Sequence, residues 1–436
     1  MPTAAVVGAG LSGLTAAHRL STAGWSVRVF EAAPRVGGRT VSDRIGGYLV
    51  DGGASALGAS YRAYLDLVAE VGLTTVPSSP YIGIYRDGRI HHLRLDRLVR
   101  SALGTRVLSA RAKLRAVRLA VDLVRARAAG YLDYSDMRRS APLDTETARD
   151  YALRALDAEL EEYLCGPVVR CMLIAGTDRV SRVELFSGLA NIFSSRIHAL
   201  VGGQGRLAEE LAGRLDVALS DPVERVADLG HRVAVTHSGT ADEFDACVVS
   251  APLPVAREIC PDRAAVLGPL HDALGYTQAI TVAVGTRIAP DSPAMLVQMP
   301  AKEDPDIALL FLEHHKAPDR APPGHGLIGC DWDTAAAEKW MGATDEEIVE
   351  HTLASLRRVF PELFAGAADP VELTHVTRWR HALPLTSVGA YRHIGEFNAA
   401  LDPADRIQFA GDYMSAAGQN TAVEFGTRAA HNLLSR

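Results

Sequence analysis

The sequence predicts an α/β fold, with one parallel-sheet domain interrupted along the chain, a second α+β domain and a helical region. Three observations predict it. Near the N-terminus a short apolar strand runs at once into a glycine-rich turn and a helix. A long helical stretch follows, and strand-forming segments return near Gly202. A last short strand then leads into a C-terminal helix.

Each element follows from local pattern. Ala4-Ala5-Val6-Val7 is an apolar run suited to a strand buried on both faces. Leu14, Ala17, Leu20 and Ala23 carry helical spacing from Leu11 to Ala23, Gly24 closes that helix, and Ser26 to Glu31 reads as the second strand. Between Arg89 and Arg139 thirteen Arg or Lys face four Asp or Glu. Helical spacing through Leu108, Leu114, Val117, Val121 and Val124 predicts helices outside the sheet there, with these residues as a core-facing stripe. Thr145 to Leu200 reads as further helix. Strands are expected at Val217–Ala227, Arg232–Thr236, Ala246–Ser250 and Ile407–Ala410, with helices from Arg206 to Leu215 and from near Thr421 to the end. On this reading residues 1–76, 201–255 and 401–436 form the discontinuous parallel-sheet domain. Residues 77–200 are its helical partner, and 256–400 complete the second domain.

The bulk numbers exclude some classes. At 436 residues, 48% hydrophobic and 22% charged, the chain has the make-up of a globular enzyme. A net charge of −7 argues against a phosphate-gripping nucleic-acid binder. Five scattered cysteines (Cys165, Cys171, Cys247, Cys260 and Cys330) form no CxxC pair, so no zinc site is expected and a reducing, cytoplasmic setting fits. No leader and no spanning helix is expected. The basic Arg89–Arg139 stretch leaves open a peripheral contact with an anionic membrane, against the plainer reading of a solvated helical lid.

The strongest chemical signal is Gly8-Ala9-Gly10-Leu11-Ser12-Gly13 between strand and helix. Gly8 permits the tight turn, Gly10 lets a diphosphate approach the backbone, and Gly13 lets the helix pack on the strand. The N–H groups of Leu11, Ser12 and Gly13 then face the anion. Glu31, next to Ala32, is placed to accept hydrogen bonds from ribose hydroxyls. Together these are the marks of a Rossmann-type dinucleotide-binding domain. Val36-Gly37-Gly38-Arg39-Thr40 follows, where Gly38 lets the chain pass the cofactor and Arg39 can pair with a phosphate.

The whole N-terminal string resembles the flavin-containing amine oxidase superfamily, which includes protoporphyrinogen oxidases and carotenoid desaturases. The resemblance implies non-covalent FAD as cofactor and extends the binding set. Asp51-Gly52-Gly53-Ala54 is similar to an element near the flavin, placing Gly53 and Ala54 there. Gly202-Gly203-Gln204-Gly205-Arg206-Leu207 resembles the return into the FAD domain, and Val223 falls in the strand whose backbone meets the adenine. Phe409-Ala410-Gly411-Asp412-Tyr413 resembles the C-terminal flavin element, which implicates Gly411 and Asp412, with Asn420, Ala422 and Val423 on the last helix.

Departures from the pattern narrow the branch. Simple amine oxidases carry a lysine in a substrate-domain strand, where Ala279 stands here, and an aromatic ring where Gly418 stands. Trp379-Arg380-His381-Ala382-Leu383-Pro384, Gly166-Pro167-Val168-Val169-Arg170 and Ser415-Ala416-Ala417-Gly418 look more like the protoporphyrinogen oxidase branch. No cysteine lies between Leu383 and Tyr413, where a covalent flavin link would form. The expected activity is hydride transfer from a C–H of a fairly hydrophobic small substrate to the flavin, giving C=C or C=N. Dioxygen or another acceptor would take the electrons. Amine or amino-acid oxidation, flavin-dependent isomerisation without net oxidation, and a non-catalytic FAD-binding partner protein are the alternatives. No catalytic residue is assigned; His381, Tyr391 and Gln419 are candidates to line the cavity. Glu313-His314-His315 is not read as a metal site, because neighbouring strand residues point to opposite faces.

Overall fold

The computed structural model describes residues 1–132, 137–194 and 196–436. Its first sheet is wholly parallel. Thr3–Val7 lies between Ser26–Phe30 and Ala246–Val249, with Asp216–Ala218 and Ile407–Phe409 outside them. Ala4, Ala5, Val6, Val248 and Val249 are all buried, as parallel strands covered on both faces require. The helices Leu11–Thr22 and Gln419–Leu434 cover one face through Leu14, Ala17, Leu20, Val423, Ala430 and Leu433. They touch backbone to backbone: a Cβ on Gly426 would lie 2.3 Å from the Ser12 carbonyl oxygen.

The expected single strand Val217–Ala227 is broken in two. Asp216–Ala218 joins the parallel sheet, whereas Val223–Asp228 starts a separate antiparallel sheet with Val233–His237 and Thr240–Phe244. Ser220 at φ 54° and Pro222 turn the chain between them.

The second large sheet has seven strands, in the order Val371–Trp379, Ala279–Thr286, Gly326–Trp332, Ile307–Leu312, Ala294–Gln298, Tyr81–Arg86, Arg89–Arg94. One face packs Ile280, Val282, Ile328, Cys330 and Trp332 beneath the helices Thr334–Trp340 and Asp345–Val359. The other carries Ala279, Leu309, Phe311 and Leu296 in a separate apolar cluster.

Three expectations for the helical region are corrected. Arg89–Arg94 is the edge strand of the large sheet, not helix. Asp87 and Gly88, both at positive φ, form the two-residue turn of a hairpin with Tyr81–Arg86, a strong Asp-Gly signal that the basic composition masked. Ile197–Leu200 is likewise a strand, paired with Leu57–Gly58 and Thr75–Pro77. The helix Ala110–Ala128, capped by the Ser109 hydroxyl, buries Ala112, Leu119 and Ala126. The expected core stripe of Leu114, Val117, Val121 and Val124 faces outward. Residues 133–136 and 195 of the two stretches read as helical lie outside the described residues.

Because Gly426 meets backbone rather than a yielding side chain, Gly426→Ala is expected to cost about 1–3 kcal/mol. Urea denaturation of the FAD-loaded protein, followed by circular dichroism, measures it.

Candidate flavin site and substrate cavity

At the N-terminal turn Gly8 adopts φ 100° and its N–H bonds to the Phe30 carbonyl. A Cβ on Gly13 would lie 2.0 Å from the Gly8 carbonyl oxygen, so helix and strand meet as only glycine allows. At Gly10 the opposite holds: a Cβ there would meet nothing within 4 Å. The first-turn N–H groups of Leu11–Thr22 receive no side-chain cap. Open space beside uncapped donors at a twelve-residue helix N-terminus suits a diphosphate.

Glu31 follows its strand by one residue, and its carboxylate accepts from the N–H groups of Ala9 (2.7 Å) and Ala33 (2.8 Å). These bonds fix the acid at the rim of the turn, next to exposed Ala32. The segment leading to Val223 is tied to the same place, since the Asp221 N–H donates to the Glu31 carbonyl and the Ser220 N–H to that of Ala33. Gly38, at φ 57°, brings its chain against Gly10.

Arg39 has two protein partners, the Ala382 carbonyl (2.7 Å) and the Asp412 carboxylate (2.8 Å). Burial works against its charge, but Asp412 outweighs it and raises the guanidinium above its ordinary value. The ion pair joins the N-terminal element to Gly411-Asp412, 373 residues away. Gly53 and Ala54 pack on Arg39 as well: the Ala54 N–H donates to its carbonyl, and a Cβ on Gly53 would come within 2.2 Å of that oxygen.

From there the Asp51–Ala56 loop lies across the open face of the seven-stranded sheet. Trp379 Nε1 donates to the Gly52 carbonyl (2.7 Å), and Gly52 abuts Thr377. Gln419, at the start of the C-terminal helix, donates to the Ala56 carbonyl, and its buried Oε1 has no partner. An orphaned amide oxygen at the point where three flavin-type motifs converge fits an absent polar ring system.

The loop is anchored by buried charge. Lys316 Nζ contacts Asp51 (3.1 Å), Glu313 (2.6 Å) and the Ser55 hydroxyl (2.7 Å), and Arg320 reaches Asp51 at 3.4 Å. All four charged side chains are essentially inaccessible. Burial opposes the charge of Asp51, yet Lys316 and Arg320 hold its carboxyl below the ordinary value; burial and nearby Asp51 push Glu313 up.

Register sets a row across the same sheet face: Thr377, Thr281, Asp331, Leu309 and Gln298 pair in turn. Thr281 Oγ1 donates to Asp331 (2.7 Å). Asp331 keeps some accessible surface although the chain surrounds it, as a wall of an internal cavity does, and desolvation pushes its carboxyl up to about 6. Gln298 and Asp331 both act on the Cys171 thiol, which burial raises to about 11, and Cys171 in turn neighbours Tyr61. Phe311, Ala279, Trp379 and Leu383 supply the apolar surroundings. Tyr61 OH comes within 3.7 Å of where a Gly418 Cβ would sit, so an aromatic ring from another element borders the position that lacks one.

The sequence candidates separate. Gln419 stands at the flavin junction. His381 is exposed and packs edge-on against Tyr276, so it is not an enclosed cavity residue. Tyr391 is fully buried and bonds to Glu184, with its N–H on Asp144; it belongs to the core. Ala422 is half-buried inside the last helix, Val423 lies in that helix's core face, and the Asn420 amide is taken up by the Tyr64 N–H and Glu424. His314 and His315 lie in a short helix, not a strand, with ring centroids 4.5 Å apart. Burial pushes His314 down to about 4, and no metal-holding cluster occurs among the described residues. Asp331, Thr281, Gln298 and Tyr61 went unread. The usable signal was Asp331, the one charge in the apolar strand Gly326–Trp332.

Comparison with known proteins decides the family. The model of the flavin containing amine oxidoreductase family matches residues 11–434. The chain belongs to that family. It is an FAD-dependent oxidoreductase. AofH of Mycobacterium tuberculosis is 44% identical over 84 residues, but the match spans 19% of this chain and 17% of AofH. Coproporphyrinogen III oxidase of the same species is 26% identical over 98% of this chain and 96% of the relative. A doubly substituted putrescine oxidase superposes with a TM-score of 0.82 at 21% identity, over the full length of both chains, and shows that the fold is shared. The flavin of this family supplies two-electron redox chemistry.

Gly10→Val fills the open space at the helix N-terminus, so the purified variant is expected to be colourless and to take up no added FAD, read by absorbance. Lys316→Met leaves buried acids without their cation and should destabilise the protein by about 3–5 kcal/mol. Chemical denaturation measures that loss.

Proposed function

We propose that the protein oxidises a fairly apolar small molecule at a C–H bond next to an N–H or C–H. FAD is held non-covalently by Gly8–Gly13, Glu31, Gly38, Gly53, Gly411 and Asp412, in a domain assembled from residues 1–76, 201–255 and 401–436. Dioxygen or another acceptor takes the electrons, and the setting is cytoplasmic. The carrying observation is the Thr281–Asp331–Gln298 row, set in apolar surroundings on the sheet face that meets the Gly52–Ala56 loop.

The flavin, once bound, would supply the two-electron acceptor for a hydride from the substrate carbon. The chain's part is to exclude water, orient the substrate and take the accompanying proton. Phe311, Leu383 and Trp379 exclude water. Gln298 and Tyr61 offer hydrogen-bonding groups to a polar edge. Asp331 accepts the proton at its carboxylate, while Thr281 holds the other side of that group by donating to Oδ1. A carboxyl raised by desolvation is suited to general base work near neutral pH. Ala279, paired with Trp379 one step along the same face, puts no lysine beside this row, so proton transfer falls to the carboxylate.

One observation favours a second reading. Asp331 and Tyr61 both neighbour Cys171, and a carboxylate and an aromatic ring on one wall also suit a substrate ammonium, which makes amine oxidation the alternative. Peroxide release with a panel of amines, absent with neutral apolar N–H compounds, would select it.

The test is anaerobic bleaching of the flavin band by candidate substrates. Asp331→Asn is expected to keep the yellow spectrum and slow bleaching by about 100-fold or more. In the native protein the rate should fall as pH drops through about 6, because the base is lost on protonation; Asp331→Asn should flatten that limb. An unchanged rate in Asp331→Asn would remove the assigned base.

A further inference from the structure

The Ala110–Ala128 helix is apolar on two opposite faces. At about 100° per residue, Ala112, Leu119 and Ala126 share one side, and they are buried. Leu114, Val117, Val121 and Val124 run down the other at three- and four-residue steps, with relative exposures of 75, 58, 38 and 67%. Single exposed apolar residues are ordinary, but a continuous stripe marks a contact surface. The preceding helix, Leu98–Gly104, adds Val99 and Leu103, exposed at 67 and 69%. Lys113 Nζ donates to the carbonyls of Leu103 (2.8 Å) and Thr105 (2.6 Å), which fixes the end of that helix beside the stripe.

Charge indicates what covers the surface. From residue 98 to 128 eight Arg or Lys stand against one acid, Asp122, in a chain whose net charge is −7. Arg111, Arg118 and Arg125 follow one another at seven-residue steps down one edge of the stripe. A cavity of about 300 Å³ opens on that edge, lined by Arg118, Arg125, Arg154 and Arg182 with Asp122 as the acid. Arg154 and Arg182 also share Glu146, while Arg111 has no acidic partner among the described residues. A second copy laid on the stripe would bring two basic edges together, which is unfavourable. A surface of anionic phosphate groups neutralises them.

We infer that the 98–128 segment docks on an anionic lipid bilayer, with the stripe entering the interfacial layer and the flanking arginines binding phosphate headgroups. The loop between the two helices carries Val107 and Leu108 into the same apolar cluster as Phe311 and Cys171. That loop ties the docking helices to the apolar layer on the sheet face that carries Asp331. The dock stands whichever molecule is oxidised.

The test is flotation of the full-length, FAD-loaded protein with phosphatidylcholine vesicles, with and without phosphatidylglycerol. At least about tenfold more protein is expected to float with the anionic vesicles, and salt should release it. Leu114→Gln/Val117→Gln/Val121→Gln/Val124→Gln should abolish flotation. Arg111→Gln/Arg118→Gln/Arg125→Gln should erase the preference for anionic vesicles. Both variants should keep the native flavin spectrum and unchanged bleaching by a water-soluble substrate. Equal flotation of the stripe variant, or no flotation of the native protein, would overturn the dock. So would a native dimer that the stripe variant converts to monomer.

Discussion

Everything in this molecule is arranged around one close approach, between the first strand and the first helix. At Gly13 the two backbones are so near that a single methyl would overlap the Gly8 carbonyl. That contact directs the helix N-terminus, with its uncapped N–H groups, at the space beside Gly10. The same device recurs where the C-terminal helix crosses the first at Gly426 and Ser12, and where the Gly53 loop lies on Arg39. Segments remote in sequence are thus brought together through contacts that tolerate no side chain.

Close packing alone would leave the loop after Asp51 unsupported, because Gly52 and Gly53 offer nothing to bury. The Asp51–Lys316–Glu313–Arg320 cluster fills that role. Buried charge is costly to desolvate, and an apolar cluster of similar volume would often be as stable. What the ions add is direction. Lys316 must satisfy Asp51, Glu313 and Ser55 at once, which permits one placement of the loop on the sheet.

On the sheet face beyond the loop, electrostatics singles out one residue. Asp331 is the ionisable group of the sheet row, held by Thr281 and raised by desolvation, while Lys316 sits behind the loop as structural support. The outward stripe on the 110–128 helix adds a contact surface, and the loop before that helix packs Val107 and Leu108 on the apolar cluster of the same sheet face.

The sequence by itself determined the features set by near neighbours along the chain. The strand–glycine–helix turn, Glu31 at the end of the second strand and the glycine-arginine element were all legible, because each requires particular residues at short, fixed spacing. So was the parallel sheet, from apolar runs such as Ala4–Val7. Tertiary structure decided what depends on partners far away. Two apolar stripes on the Ala110–Ala128 helix are equivalent as pattern, and only packing chose the one with Ala112 and Leu119. Asp331 and Thr281 are fifty residues apart and meet only by strand register. Tyr391 and His381 could not be placed from spacing, since burial is settled by elements that cross from elsewhere. Short-range geometry is written in the chain; which surface ends up inside is a property of the assembled whole.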